Sequence, residues 1–299
     1  MKMHILRIIS LGILCIAVTA CTTGPRGDRN SVVSGMGAKQ DPEGLVEVGK
    51  GFERAGDYVG ALSMYQQALQ KSPEMIKAQL GIARVLDSAG RADEAASILR
   101  RLEGLHPENK AIKRQLAFTY ASMRRFDAAL AVATKLIVDA EYTPIIHTED
   151  GMPTETGDFL LLDLAGRLSE VTGQSANARD FYDKSLAITP SALQPVQHLA
   201  LSFALDGNFD TAVAMLQPPL RFPPTKEDAQ RTLALIYGLS DQPEAAYEIT
   251  RALDGMEKAA ESRSFYILLP SLPKAMQAEA VLFGGLEKDK LDQYFENVS

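Results

Sequence analysis

Small residues and helix breakers return along this chain at one fixed interval. Ala61, Ala95 and Ala129 stand 34 residues apart, and so do Ala178, Ala212 and Ala246. Pro73 and Pro107 keep the same spacing, as do Pro190 and Pro224, Gly56 and Gly90, and Gly173 and Gly207. A fixed period of this length means an array of like units, each too small to bury its apolar face alone. That constrains the fold more than the length of 299 residues, which allows one large domain or two modest ones. The two blocks are out of phase by 15 residues, since Ala129 and Ala178 are 49 apart.

The first unit, LVEVGKGFERAGDYVGALSMYQQALQKSP, shows what each period encodes. One helix is expected over about 44–55, where Gly56 breaks it, and a second over about 58–71, stopped by Pro73. Gly49 and Ala61 are small where the two antiparallel helices cross, and Phe52 and Tyr65 fill the remaining space. Gly49, Phe52, the Gly56-Asp57-Tyr58 turn, Ala61, Tyr65, Ala68 and Pro73 together resemble the tetratricopeptide repeat consensus. Later units follow at about 76–109, 110–143, 159–192, 193–226 and 227–255, the last with Asp241 and Pro243 at its turn. The resemblance implies an all-α fold: a right-handed superhelical solenoid of about six helix-turn-helix repeats with a concave groove and a C-terminal capping helix.

Repeats 1–3 thus occupy 42–143 and repeats 4–6 occupy 159–255. The 15-residue excess, 144–158, reads as an inter-repeat loop that either touches a partner or is simply a tolerated insertion. Residues 256–299 read as capping helices and tail. A helix is expected over about 257–269, then a break at Pro270–Pro273, then a short helix ending at Gly284-Gly285. A cap with one wet face suits an array's end, although Phe265, Tyr266, Leu268 and Leu269 could instead dock a partner.

The N-terminus carries a different signal. Lys2 and Arg7 precede an apolar run of 13 residues, Ile8 to Ala20, too short for a spanning helix, which needs about 20. This is the pattern of a secretory signal peptide over 1–20. Val18-Thr19-Ala20-Cys21 resembles the bacterial lipobox, which implies lipidation of Cys21 (diacylglycerol and an acyl chain such as palmitate); cleavage by the general signal peptidase is the alternative. The only other cysteine, Cys15, would leave with the signal, so neither a disulfide nor a cysteine metal pair is expected. Residues 21–41 then form the lipidated Cys and a small, polar tether with an r.m.s. span of roughly 25 Å. Thr22, where many enterobacterial inner-membrane lipoproteins carry Asp, implies a cell-envelope protein facing the periplasm from the outer membrane.

Little in the chain suggests catalysis. Without Lys2 and Arg7, 29 basic residues face 38 acidic ones, a net charge of −9, which disfavours nucleic acid as a partner. The histidines are His4, His106, His147 and His198. Only His147 has acidic neighbours, Glu149 and Asp150, and these do not make a metal site or a catalytic set. There is no Gly-rich phosphate loop and no nucleophile elbow. No enzyme activity, cofactor, metal or small-molecule substrate is expected.

Binding is left to the groove. The resemblance places the first helix of each repeat on the concave face, and register maps its lining to Lys50, Arg84, Arg114, Phe118, Arg167, Leu201 and Leu235. A partner segment acidic towards the first repeats and apolar further on would suit these residues. Pairing of the cations with Glu53, Asp87 and Glu170 is the alternative. The lipobox, short tether, six repeats and LPKAMQAEAVLFGG near the C-terminus resemble the TadD lipoproteins of the tight-adherence (Flp) pilus. That resemblance implies a scaffold for secretin or pilus assembly, with protein partners and membrane contact through the lipid. A periplasmic scaffold for cell-wall or outer-membrane-protein assembly enzymes would share the layout.

Overall fold

A computed structural model describes residues 41–139 and 158–298. The signal peptide, Cys21, nearly all of the tether, and the loop with His147 and Glu149 lie outside the described residues. Every regular element among the described residues is helical. The helix pairs are α1 (Pro42–Arg54) and α2 (Tyr58–Lys71), α3 (Ile76–Ser88) and α4 (Ala92–Leu105), and α5 (Lys110–Ser122) and α6 (Phe126–Asp139). Next come α7 (Phe159–Val171) and α8 (Ser175–Ile188), then α9 (Leu193–Leu205) and α10 (Phe209–Met215), extended by α11 (Gln217–Arg221). The chain continues with α12 (Pro223–Leu239), α13 (Pro243–Asp254), α14 (Met256–Leu268), a 3₁₀ turn (Leu269–Ser271), α15 (Lys274–Leu282) and α16 (Lys288–Val298). Tandem tetratricopeptide pairs are the fold. The described residues up to Leu136 form one compact unit and those from Ile137 a second.

The first pair shows why the period is what it is. Asp57 caps α2 by accepting from the Gly60 amide at 2.9 Å. Gly56, at φ 73°, closes α1. Its amide donates to Glu53 O and that of Asp57 to Phe52 O, the paired bonds of a left-handed C-terminal cap. The same pair of bonds closes α5 at Arg124 and α12 at Asp241, which hold φ 57° and 58° without being glycine. The degenerate sixth turn therefore keeps its geometry at a cost of roughly 1–2 kcal/mol in backbone strain.

Within each unit the tyrosine of the second helix rivets neighbouring repeats. Tyr65 is fully buried, and a Cβ on Gly49 or on Gly81 would lie 2.6 Å or 2.5 Å from its ring. The ring thus occupies space that glycine leaves open in the first helices of two successive repeats. Tyr182 repeats the device against Gly166, at 2.4 Å. Gly49 was expected to be small for the helix crossing itself; the close approach is made by the ring.

Two features depart from expectation. Pro224 does not close a repeat. Pro223 and Pro224 open α12, where a missing amide costs nothing because the first helical turn has no partner for it. In addition, only part of the C-terminal segment caps the stack. Helix α14 packs on α13 and α12 as the next repeat helix would, whereas α15 turns back to lie on α7 and α9.

Candidate functional site

The first helices of the pairs adjoin one another within each unit: α1, α3 and α5 in the N-terminal unit, and α7, α9, α12 and α14 in the C-terminal unit. The seven residues expected to line a groove divide accordingly. Lys50, Arg84, Arg114 and Phe118 belong to the first row, and Arg167, Leu201 and Leu235 to the second.

In the N-terminal unit, Arg84 makes a two-pronged contact with Glu53. Its Nε donates to Oε1 and its Nη2 to Oε2, both at 2.9 Å. Tyr65 donates its hydroxyl to the same Oε2, so one carboxylate ties α1, α2 and α3 together. Burial, reinforced by the Glu53 charge, pushes the Tyr65 phenol far above its ordinary range. Lys50 pairs with Glu47 one turn back at 2.7 Å, an exposed contact of small value. Arg114 lies over the Phe118 ring on the same helix, 4.7 Å from its centroid, leaving a flat cation on an apolar plate. Asp87 accepts from the Thr119 hydroxyl at 3.0 Å. Of the three carboxylates suggested as partners for the cations, Glu53 takes that role, paired with Arg84.

The C-terminal unit treats its row differently. Leu201, expected on an open face, is 2% exposed and belongs to a core with Leu205, Met276, Ala280, Val281, Leu282 and Leu286. The reason is α15, which covers α9. Leu235 is half-buried and packs on the same core. Arg167 reaches α15 directly: its guanidinium sits 5.1 Å from the Phe283 ring centroid, and Nη1 donates to the Leu282 carbonyl at 3.4 Å.

Beneath Arg167 lies a polar cluster that periodicity did not reveal. Asp163 is buried, with Oδ2 at 3.3 Å from Arg167 Nε and Oδ1 at 2.6 Å from His198 Nδ1. Glu170, also buried, accepts from Ser175 Oγ at 2.8 Å and from Ser202 Oγ. A charge in a dry interior needs such partners. The signal was present in FLLLDLAG, where one acid interrupts a run of leucines. At the far end of α15, Lys274 and Arg179 (Nη2 at 2.5 Å) both hold Asp206. Burial would raise the Asp206 carboxyl, but these two cations outweigh it and hold it below the ordinary range. Elsewhere, His106 caps the end of α4. Among the described residues no group of three or more His, Cys, Asp or Glu is placed to hold a metal ion, and no helix is long and apolar enough to cross a membrane.

A sequence profile described as the tetratricopeptide repeat matches residues 53–104 and 88–140. No curated protein sequence matches the chain. Among solved structures, a tetratricopeptide repeat protein from Parabacteroides merdae is similar at 16% identity, over 85% of this chain and 97% of that one, with a TM-score of 0.56. PilW, a widely conserved type IV pilus biogenesis factor, is similar at 18% identity, over 73% of this chain and 98% of that one, with a TM-score of 0.58. A chain of the APC/C hetero-tetramer Cut9–Hcn1 gives 16% identity and a TM-score of 0.59, over 86% of this chain and 45% of that one. Identities this low speak to the fold alone, a stack of tetratricopeptide pairs.

Proposed function

We propose that the protein is a non-catalytic adaptor, anchored through lipid on Cys21, that holds a partner segment on the α1–α3–α5 face while an envelope machine is assembled. The machine is a secretin or a pilus of the Flp/Tad type, and the partner is a protein. The observation that carries this reading is the face itself: on α5 the Arg114 guanidinium lies over the Phe118 ring, next to α3, whose Arg84 is held in place by Glu53. A segment with carboxylates and an apolar side chain finds both kinds of contact there, since planar cations bind carboxylates in pairs and buried aromatics anchor interfaces. The fold's likeness to a pilus biogenesis factor, the lipobox-like Val18-Thr19-Ala20-Cys21 and the TadD-like layout support the assignment. Two or three acyl chains would hold the protein on its membrane, at about 0.8 kcal/mol per buried CH₂, with the repeats facing the periplasm from the outer membrane.

The test is crosslinking and pull-down of the mature protein from its own membranes, with fractionation on a sucrose gradient. A secretin or pilus component should be recovered in the outer-membrane fraction. Recovery of cell-wall or outer-membrane-protein assembly enzymes without secretin would place the adaptor in that pathway instead. Arg114→Glu with Phe118→Ala should abolish capture while helix content by circular dichroism is kept. Unchanged capture would remove the α1–α3–α5 face from the mechanism.

A further inference from the structure

The row α7–α9 is already occupied, and its occupant has the form of a ligand. Helix α15 is 9 residues long, too short to be helical alone in water, so its order comes from its seat. It packs on two first helices, α7 and α9, besides the 3₁₀ turn that leads into it, and Lys290 of α16 holds its buried Glu279. Its buried side chains are Ala278 and Ala280 beside Met276, Glu279, Val281 and Leu282, and the two alanines let the helix lie close to the face. Its ends are held by polar contacts that can be exchanged: Lys274 on Asp206 at the start, and Arg167 on Phe283 and on the Leu282 carbonyl at the finish. Asp163, fixed by His198, holds the Arg167 guanidinium from the side away from α15's carbonyl.

We propose that the α7–α9 face is a helix-binding site in its own right, closed by residues 272–286 acting as a tethered ligand. When that ligand is released, the site takes a partner protein's helix of the same chemistry. Such a helix is short and Ala-rich, carries a cation near its start for Asp206 and ends in an aromatic followed by glycine for Arg167. The site is separate from the α1–α3–α5 face and does not depend on it. A second copy's tail is the weaker competitor. Two residues, Leu272 and Pro273, link α15 to the 3₁₀ turn, and so short a link gives the tethered helix an effective concentration on the order of millimolar. An identical tail from another molecule repeats only the contacts already made, whereas a partner protein outcompetes the tether by adding contacts outside the α7–α9 face.

The probe is a fluorescein-labelled peptide of residues 270–287, titrated by anisotropy into the full chain. In the unaltered protein its apparent affinity is reduced by the fraction of molecules in which the face is open. Lys274→Glu with Phe283→Ala alters α15 but leaves the face intact, and should raise peptide affinity by at least about tenfold. Adding Arg167→Glu should remove that gain. Equal affinity for the unaltered chain and the folded double variant would overturn the proposal, as would concentration-dependent dimers on light scattering without peptide binding. Should the double variant lose helix content, hydrogen exchange on the unaltered chain decides. Amides of α15 exchanging at least about tenfold faster than those of α7 and α9 support a releasable ligand, and exchange in step with them overturns it.

Discussion

The two units use the same repeat and end with opposite faces. In the N-terminal unit the row of first helices carries Arg84, Arg114 and Phe118, and its ion pairs are made among its own helices, as Arg84 does with Glu53. In the C-terminal unit the equivalent row is a floor under α15, and Arg167 reaches that helix while pairing with Asp163 on its own. The repeat therefore sets where a side chain stands but not whether anything lies on top of it. Burial follows: α7 has nine buried residues in 13, among them Asp163 and Glu170, while α3 has six.

Truncation of equivalent residues should expose this contrast most strongly. Leu201→Ala is expected to cost about 2–5 kcal/mol, because it opens a cavity in a sealed core. Phe118→Ala, at the same register position but half-buried, should cost about 1 kcal/mol or less. Urea denaturation of both measures the difference, and equal costs would mean that α15 does not seal its row in solution.

A subtler separation lies in the two tyrosine rivets. Tyr65 donates to Glu53, so Tyr65→Phe should destabilise by about 1–2 kcal/mol by leaving that carboxylate short of a donor. The Tyr182 hydroxyl is buried without a hydrogen-bond partner among the described residues. Tyr182→Phe should then be neutral or stabilising by about 1 kcal/mol, since an orphaned hydroxyl is removed and the ring stays. Reversed signs would mean the polar networks around the two rings have been exchanged.

The smallest effect concerns the turns. Asp241 holds a left-handed backbone where Gly56, Gly90, Gly173 and Gly207 do so freely. Asp241→Gly should gain about 1 kcal/mol, read as a higher midpoint in the same denaturation. A loss would show that the Asp241 side chain contributes more than its backbone costs.

The legible part of this molecule is the local part. Gly56, Asp57 and Pro73 delimit α1 and α2 because caps and breakers act over a few residues, and the 34-residue recurrence of alanines carried those bounds forward through the array. Pro224 was misplaced because proline ends one helix and begins another with equal ease, and only Pro223 beside it tips the choice. Leu201 was misassigned for a different reason. Its register position is that of a groove residue, and what buries it lies some 80 positions downstream, in residues whose own pattern says only that they form a short helix. The leucine run of α7 and LALSFAL in α9 were the available hints, since a helix apolar on every side must be covered on every side.

That return contact also changes how the chain can acquire its structure. A stack of repeats joins each pair to the next, so nearly all its contacts are short in sequence and it can grow from one end. The bond from Arg167 to Leu282 spans 115 positions. Loops of that length slow the search for the native arrangement. Synthesised from the N-terminus, the first unit has all of its own residues before the second begins. The second unit has laid down α7 and α9 long before the helix that covers them exists. Until α15 emerges, Leu201 and its neighbours are exposed apolar surface, and that one helix decides when this half of the protein is finished.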